Sequence, residues 1–275
     1  MEERFVRVTD ITDYLFCPRK VYLKRVLGYE EETNEKKIFG SIVHNILDNL
    51  NEREYEIVYN IKENRGYEYV KKLYEDFVLE LIDKSIKKFE KDIKKLNIDV
   101  EKIKFQVFSY IYKEVEDRSK NIFNFMSEND LYGIELWYSL EPKILTEFDT
   151  ISRKYNIIGR VDRIEKYNKR KEIIPYEIKS GFFSRDHITQ IYTYYLLLKD
   201  EFPDYKIYKG YIYYVKDNKK FEIEFTNKNE IKRILEIKDK ILDMIESEKD
   251  PGKVYKEKCQ KCVFYNVCWK NGNKN

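Results

Sequence analysis

An acid and a base lie two residues apart in an apolar run near the middle of the chain. Residues 174–181 are rich in β-prone side chains and predict a strand that carries Glu177 and Lys179. Side chains alternate between the two faces of a strand, so these two point into one space while Ile178 is buried on the other face. We expect that space to be occupied, and a divalent metal ion with a phosphodiester would fit it. A Glu-x-Lys strand considered by itself is more often a surface pair.

A second acid lies in the strand before this one. The pattern predicts a hairpin of residues 148–152 and 155–165, with Asp162 in the middle of its apolar second arm. A buried carboxylate is costly unless it is paired or bound to a metal, so Asp162 is a site candidate. If the two strands are neighbours in a sheet, Asp162 and Glu177 converge and can hold Mg²⁺ or Mn²⁺, which would neutralise phosphoryl oxygens and generate hydroxide at neutral pH. Lys179 would then orient the attacking water or stabilise developing negative charge.

A histidine lies beside the apolar face of a helix predicted over residues 36–50. Gly40, His44 and Asp48 are one turn apart and share a stripe of that helix. Glycine in a helix interior costs about 1 kcal/mol relative to alanine, so we expect another backbone or a ligand to approach closely at Gly40. Without partners, His44 is more typical of a structural histidine than of a ligand.

The remaining pattern predicts an α/β protein. We expect strands at 134–140, 205–215 and 221–226, the last two around a turn at 216–220, and helices within 67–126, after Ser184 or Asp186, and at 229–246. A chain of 275 residues can bury a core in one elaborated domain or in two joined domains, and a net charge of +3 identifies no partner. No apolar stretch approaches the roughly 18 residues that span a bilayer, and no signal peptide is evident, so we expect a cytoplasmic protein without membrane contact.

The order of these motifs resembles the RecB-like branch of the PD-(D/E)XK nucleases. The chain passes from the helix with Gly40 and His44, through strand segments 159–162 and 177–179, to a helix on which Gln190 and Tyr194 share a face. The resemblance implies a restriction-endonuclease-like core of αβββαβ type, in which helices flank a mixed β-sheet.

The resemblance also implies roles for individual residues. The implied metal ligands are His44, Asp162 and Glu177, and the implied strand-positioning residues are Gln190 and Tyr194. Lys179 is implied to be catalytic, together with Asp162 and Glu177. An upstream glutamate often joins such sites, and Glu141 and Glu135 are both placed for it.

Four cysteines lie near the two ends of the chain. Cys17 is isolated and by itself is typical of a small core residue, whereas Cys259, Cys262 and Cys268 follow one another closely in the tail. In a reducing compartment such cysteines are more often metal ligands than disulfides. Four thiolates suit either a structural zinc ion or an iron-sulfur cluster, and the spacing does not decide between them.

One cysteine before a RecB-like core and three after it resembles the iron-sulfur nucleases, and most closely the CRISPR-associated Cas-four family, to which residues 14–19 are also similar. This resemblance implies a 4Fe-4S cluster and a Mg²⁺- or Mn²⁺-dependent exonuclease that acts on single-stranded DNA or DNA ends. It also implies a role in CRISPR adaptation and antiviral defence, in which spacer precursors are trimmed beside the Cas-one/Cas-two integrase. Residues 1–50 and 134–250 would form the nuclease core, residues 51–133 a helical insertion, and residues 251–275 with Cys17 the cluster region.

Two other functions are compatible with these motifs. One is a stand-alone or helicase-associated iron-sulfur nuclease in DNA repair or recombination. The other is a non-catalytic nucleic-acid-binding subunit of the same fold. The presence of Asp162, Glu177 and Lys179 argues against the second, because an inactive relative has no chemical need for all three.

Overall fold

A mixed β-sheet flanked by helices forms the framework of the protein, as the sequence predicts. The computed structural model describes residues 4–31, 33–179, 183–214 and 219–270. Within this part the six strands are β1 (Val6–Arg7), β2 (Lys143–Ser152), β3 (Ile157–Tyr167), β4 (Glu172–Lys179), β5 (Lys209–Tyr214) and β6 (Lys219–Glu224). Their order is β1-β3-β4-β5-β6, and β2 pairs with β3 beside this path. β1 runs parallel to β3 and β4 parallel to β5, whereas β6 is antiparallel to β5.

Helices make up most of the rest of the described chain. They are α1 (Val8–Phe16), α2 (Pro18–Arg25), α3 (Glu35–Tyr59), α4 (Tyr67–Lys88), α5 (Glu90–Lys95), α6 (Val100–Asn129), α7 (Gly133–Ser139), α8 (Arg185–Glu201) and α9 (Lys228–Ser247). A 3₁₀ turn (Glu257–Lys261) and a π-helical turn (Asn266–Lys270) follow α9. Among these helices none is long and apolar enough to cross a membrane.

The chain divides into two compact units. The first unit comprises Met1–Glu32, Asp149–Asp162 and Ile174–Asn275, and the second comprises Thr33–Phe148 and Arg163–Ile173. The boundaries fall within β2, β3 and β4, so these strands contribute residues to both units. The division into a nuclease core, a helical insertion and a cysteine region remains a functional prediction.

The first unit depends on close packing of α1 and α8 against β3. A Cβ atom at Gly159 would lie 2.3 Å from Cγ2 of Val8 and 3.2 Å from Cδ1 of Leu197, so glycine is required there. Helix α8 begins where the Ser184 side chain accepts a hydrogen bond from the Asp186 backbone N–H, which identifies Ser184 as the cap. The start of α8, and with it the face that carries Gln190, is therefore set by local capping.

The second unit buries a charged group among its helices. The Arg118 side chain is fully buried and donates to Glu114, Glu54 and Asn51 at 2.6–2.8 Å and to Thr146 at 3.2 Å. These partners lie on α3, α6 and β2, so one guanidinium joins three elements. A buried charge is tolerated only when its donors are satisfied in this way.

Three sequence predictions need correction. Residues 134–140 are expected to be a strand, but 134–139 lie in α7 and Leu140 caps it, because Leu136 and Leu140 are buried at helical spacing while Ile134 and Tyr138 are exposed. The helix expected at 36–50 continues to Tyr59, and the strand expected from residue 205 begins at Lys209. Most of the turn predicted at 216–220, and residues 180 and 181 of the predicted strand at 174–181, lie outside the described residues.

Replacement of Arg118 by methionine should lower the free energy of unfolding by about 3–5 kcal/mol, because Glu54 and Glu114 would remain buried without the guanidinium that neutralises them both. Urea unfolding monitored by circular dichroism measures this loss. Lys120→Met, at an exposed position of the same helix, is the matched control and should change the free energy by no more than about 0.5 kcal/mol. Equal losses in the two variants would contradict the assignment of Arg118 as the buried link.

Candidate active site

Asp162 and Glu177 lie on neighbouring strands of the first unit, as predicted. Strands β3 and β4 are adjacent in the sheet, and Oδ2 of Asp162 accepts a hydrogen bond of 2.7 Å from the Ile178 backbone N–H. This bond fixes the Asp162 carboxylate beside the strand that carries Glu177. The sequence predicts that Asp162 is buried, but its side chain is only partly buried. Its position beside Glu177, and not its burial, makes it a site candidate.

Glu177 is the fully buried acid of the site, with a relative exposure of 0%. The sequence predicts the reverse arrangement for β4, with Ile178 buried, yet Ile178 is partly exposed. Burial, followed by repulsion from the Asp162 carboxylate, raises the pKa of Glu177 to about 8, and the Lys179 ammonium opposes this rise only in part. Without a bound cation, Glu177 is therefore mostly protonated at neutral pH.

Lys179, Gln190, Tyr194 and Asp162 form a continuous chain of hydrogen bonds. Lys179 Nζ donates to Gln190 Oε1 at 3.1 Å, Gln190 Nε2 donates to the Tyr194 hydroxyl at 3.0 Å, and that hydroxyl donates to Asp162 Oδ1 at 3.1 Å. An ammonium group can only donate, which sets the orientation of the Gln190 amide and hence the direction of every bond in the chain. Lys179 Nζ also contacts Glu177 Oε1, and this contact is an ion pair when Glu177 is ionised.

The position of Tyr194 bears on the role that the family resemblance implies for it. The Tyr194 side chain is 1% exposed, whereas Gln190 is partly exposed. Tyr194 therefore acts on Asp162 and Gln190, and any effect on a nucleic-acid strand would be indirect.

The two carboxylates fit a divalent cation. Both Glu177 oxygens are buried, and their polar neighbours include the Lys179 ammonium and the Tyr194 hydroxyl, neither of which forms a well-directed hydrogen bond with them. Mg²⁺ is commonly held by one or two carboxylates together with water and substrate phosphates. No group of three or more histidine, cysteine, aspartate or glutamate side chains in the described ranges is placed to hold a metal ion. Ligands other than these two carboxylates would therefore complete the coordination.

His44 lies in the second unit, on α3, and its side chain is 49% exposed. Its Nδ1 is 2.7 Å from Oε2 of Glu147, a residue of β2 that the sequence analysis did not select. Glu141, one of the two expected glutamates, instead accepts a hydrogen bond of 2.6 Å from the Lys169 backbone N–H. Glu135, the other, is exposed on α7.

The space at Gly40 is open. Apart from the chain neighbours of Gly40 and the adjacent backbone of its own helix, no described atom lies within 4 Å of the position that a Cβ would occupy. Of the two alternatives predicted there, a close backbone or a ligand, the described residues supply no backbone. The open space next to His44 leaves room for a ligand.

The four cysteines line a single pocket of the first unit, together with Phe16, Phe264 and Trp269. Burial raises the pKa of the Cys268 thiol, and its proximity to Cys262 and Cys17 adds to the rise. The isolated Cys17 is thus brought to the three cysteines of the tail. Four thiols in one pocket fit a thiolate-bound centre chemically, although they are not placed for a single metal ion.

Comparison with known proteins identifies the family. The model of the PD-(D/E)XK nuclease superfamily matches residues 7–269. The chain belongs to this superfamily of phosphodiester hydrolases, whose members typically use Mg²⁺ or Mn²⁺. A solved structure titled "Crystal structure of SSO0001" is 18% identical, with a TM-score of 0.35 over 66% of this chain and 79% of that one, and similarity at this level adds nothing to the assignment.

Glu177→Gln should remove a pH-dependent loss of stability from the metal-free protein. The folded-state pKa of Glu177 is raised above its ordinary value, so the stability it contributes is complete below about pH 4.5 and is lost as the pH rises to about 8. This loss amounts to at most about 5 kcal/mol. Urea unfolding in a chelating buffer at pH 5 and pH 9 should show a smaller drop for Glu177→Gln than for the wild type.

Glu224→Gln, at an exposed position of β6, is the control for that experiment and should behave like the wild type. Parallel pH profiles for the wild type and Glu177→Gln would mean that Glu177 is not a buried, protonated acid.

Proposed function

We propose that the protein is a Mg²⁺- or Mn²⁺-dependent DNA nuclease whose active site contains Asp162, Glu177 and Lys179. The observation that carries this proposal is the Glu177 carboxyl group, which is fully buried beside Asp162 and has the Lys179 ammonium as its partner of opposite charge. A structural protein gains nothing from such an acid, whereas a metal site requires it.

Asp162, Glu177 and Lys179 would have different roles in phosphodiester hydrolysis. A cation bound by Asp162 and Glu177 would supply positive charge to the phosphoryl oxygens and acidify the attacking water. Lys179 carries three N–H donors, of which Glu177 and Gln190 take two. The third has no partner in the described part of the chain, and the side chain is 25% exposed, so it is available to the attacking water or to a phosphoryl oxygen.

His44 is proposed as the further metal ligand that the family resemblance implies. Its exposed imidazole and the open space at Gly40 support a role at a surface that receives substrate. The 2.7 Å contact of its Nδ1 with Glu147 orients the ring, because a carboxylate beside one imidazole nitrogen favours one tautomer. Gln190 would position the nucleic-acid strand together with Lys179.

The finer assignment is to an exonuclease of the Cas-four type that acts on single-stranded DNA ends and trims spacer precursors beside the Cas-one/Cas-two integrase. Its support is the order of the motifs and the gathering of Cys17 with the tail cysteines. An iron-sulfur nuclease of DNA repair would share both features. The neighbouring genes distinguish the two roles.

A 4Fe-4S cluster held by the four cysteines would link the two ends of the chain. A cluster is larger than a single ion, so its ligand sulfurs stand farther apart than those around one zinc. Other contacts already bring the ends together: Arg19 forms a 2.8 Å ion pair with Asp250, and Lys258 Nζ lies 3.4 Å from the Leu15 carbonyl oxygen. Ligand binding at such a place contributes directly to folding.

Lys179→Met should slow degradation of end-labelled single-stranded DNA in Mn²⁺ at least about 100-fold, because it removes a cation from the developing negative charge. Asp162→Asn should be impaired to a similar degree. The control, Lys199→Met in the last turn of α8, should retain activity within about twofold. Equal rates for all four proteins would refute the assigned site, and a wild type inactive with both ions that still binds DNA would favour a non-catalytic subunit.

Protein purified without oxygen should be brown and contain iron and acid-labile sulfide in equal amounts, because four thiolates line the pocket. Cys268→Ser should lose the iron and unfold at a lower temperature. Val263→Ala, which alters an exposed side chain between the cysteines, should keep both properties. If the wild type contained zinc and no iron, the proposed cluster would be refuted in favour of a structural zinc site.

A further inference from the structure

Tyr214 borders the candidate active site on the side away from Asp162. In the parallel pairing of β4 with β5, Tyr214 is the partner of Lys179, and Ile212 is the partner of Glu177. Side chains at paired positions lie on the same face of a sheet, so Tyr214 stands next to Lys179. Its hydroxyl is hydrogen-bonded to His187, in the first turn of α8. The hydrogen-bonded pair of His187 and Tyr214 therefore lies beside Lys179.

The hydrogen bonds of His187 define which of its nitrogens can act as a donor. Nδ1 is 3.3 Å from the Ser184 backbone nitrogen and 2.7 Å from the Tyr214 hydroxyl oxygen. A backbone N–H can only donate, so Nδ1 is an acceptor and the neutral ring carries its proton on Nε2. Burial and the Lys179 charge lower the pKa of His187, which favours this neutral form, whereas Asp186 opposes the shift.

The Nε2–H group of His187 is available to a ligand. The side chain is partly exposed, and Nε2 has no hydrogen-bond partner among residues 4–31, 33–179, 183–214 and 219–270. The contacts with Ser184 and Tyr214 engage only Nδ1, and because the ring is rigid they also fix the direction in which Nε2–H points. His187 also lies one helical turn before Gln190, on the side of α8 that faces Lys179.

We propose that His187 is a substrate-positioning residue, whose Nε2–H donates to the phosphate adjacent to the one being hydrolysed. This inference rests on the proposed nuclease function. Lys179 contacts Glu177 and Gln190 at the reacting centre. His187 lies beside Lys179, farther from Asp162, so its Nε2–H would meet the neighbouring phosphate of the bound DNA. An N–H donor beside an ammonium group suits an anionic acceptor.

Two substitutions separate this role from a structural one. Glutamine can place an amide N–H where Nε2 lies, and asparagine can place an amide oxygen where Nδ1 lies. With single-stranded DNA and Mn²⁺, His187→Asn should raise KM about tenfold with kcat within about twofold, because a hydrogen bond to a charged group is lost. His187→Gln should raise KM by no more than about threefold. A purely structural His187 predicts the opposite order, since asparagine preserves the contacts to Ser184 and Tyr214.

A substrate with one methylphosphonate, which lacks the phosphate charge, identifies the contact. When the uncharged group is next to the cleaved linkage, the kcat/KM of the wild type should be about tenfold lower than with unmodified DNA. The kcat/KM of His187→Asn, which already lacks the contact, should be nearly the same for the two substrates. If the methylphosphonate lowered kcat/KM by the same factor in His187→Asn as in the wild type, the inference would be overturned. An unchanged KM in His187→Asn would overturn it as well. A wild type that cleaves nothing in Mg²⁺ or Mn²⁺ would instead refute the nuclease function, and this inference with it.

Discussion

The burial of the Glu177 carboxyl group is the constraint on which the candidate site depends. A carboxylate removed from water is costly, and here its nearest charged neighbours are one acid and one base, so its pKa rises to about 8. The fold accommodates this group by placing β3 beside β4, which brings Asp162 to it, and by starting α8 where Gln190 and Tyr194 can tie Lys179 to Asp162. The ionised form of Glu177 then requires a cation, which is the property that a metal-dependent hydrolase needs.

Local periodicity was sufficient to predict the parts of the site that follow from one strand or one helix. The alternation of side chains along β4 placed Glu177 and Lys179 on one face, and the helical spacing of Gln190 and Tyr194 placed them together. The contact of Lys179 Nζ with Glu177 confirms the first placement, and the hydrogen bond between Gln190 and Tyr194 confirms the second. The α/β fold was predictable for the same reason, because its strands and helices have distinct hydrophobic periods.

What could not be predicted depends on residues far apart in the sequence. Periodicity identifies the faces of a strand but not what covers each one, so it could not reveal that Glu177 is more deeply buried than Asp162. Nothing in the sequence distinguishes Glu147, which contacts His44, from the other glutamates before β3. The buried network of Arg118 joins α3, α6 and β2, and charged residues on a helix ordinarily predict a solvated face.

Proton release on metal binding tests most directly whether Asp162 and Glu177 form the metal site. A Glu177 with a pKa of about 8 is mostly protonated at about pH 7.5, where an ordinary imidazole is mostly neutral, and it must lose its proton to become a ligand. Calorimetric titration with Mn²⁺ in two buffers of different ionisation enthalpy should therefore show release of about one proton per ion bound by the wild type. The Glu177→Gln variant should bind weakly and release none. Tight binding by the wild type with the same heat in both buffers would contradict this account.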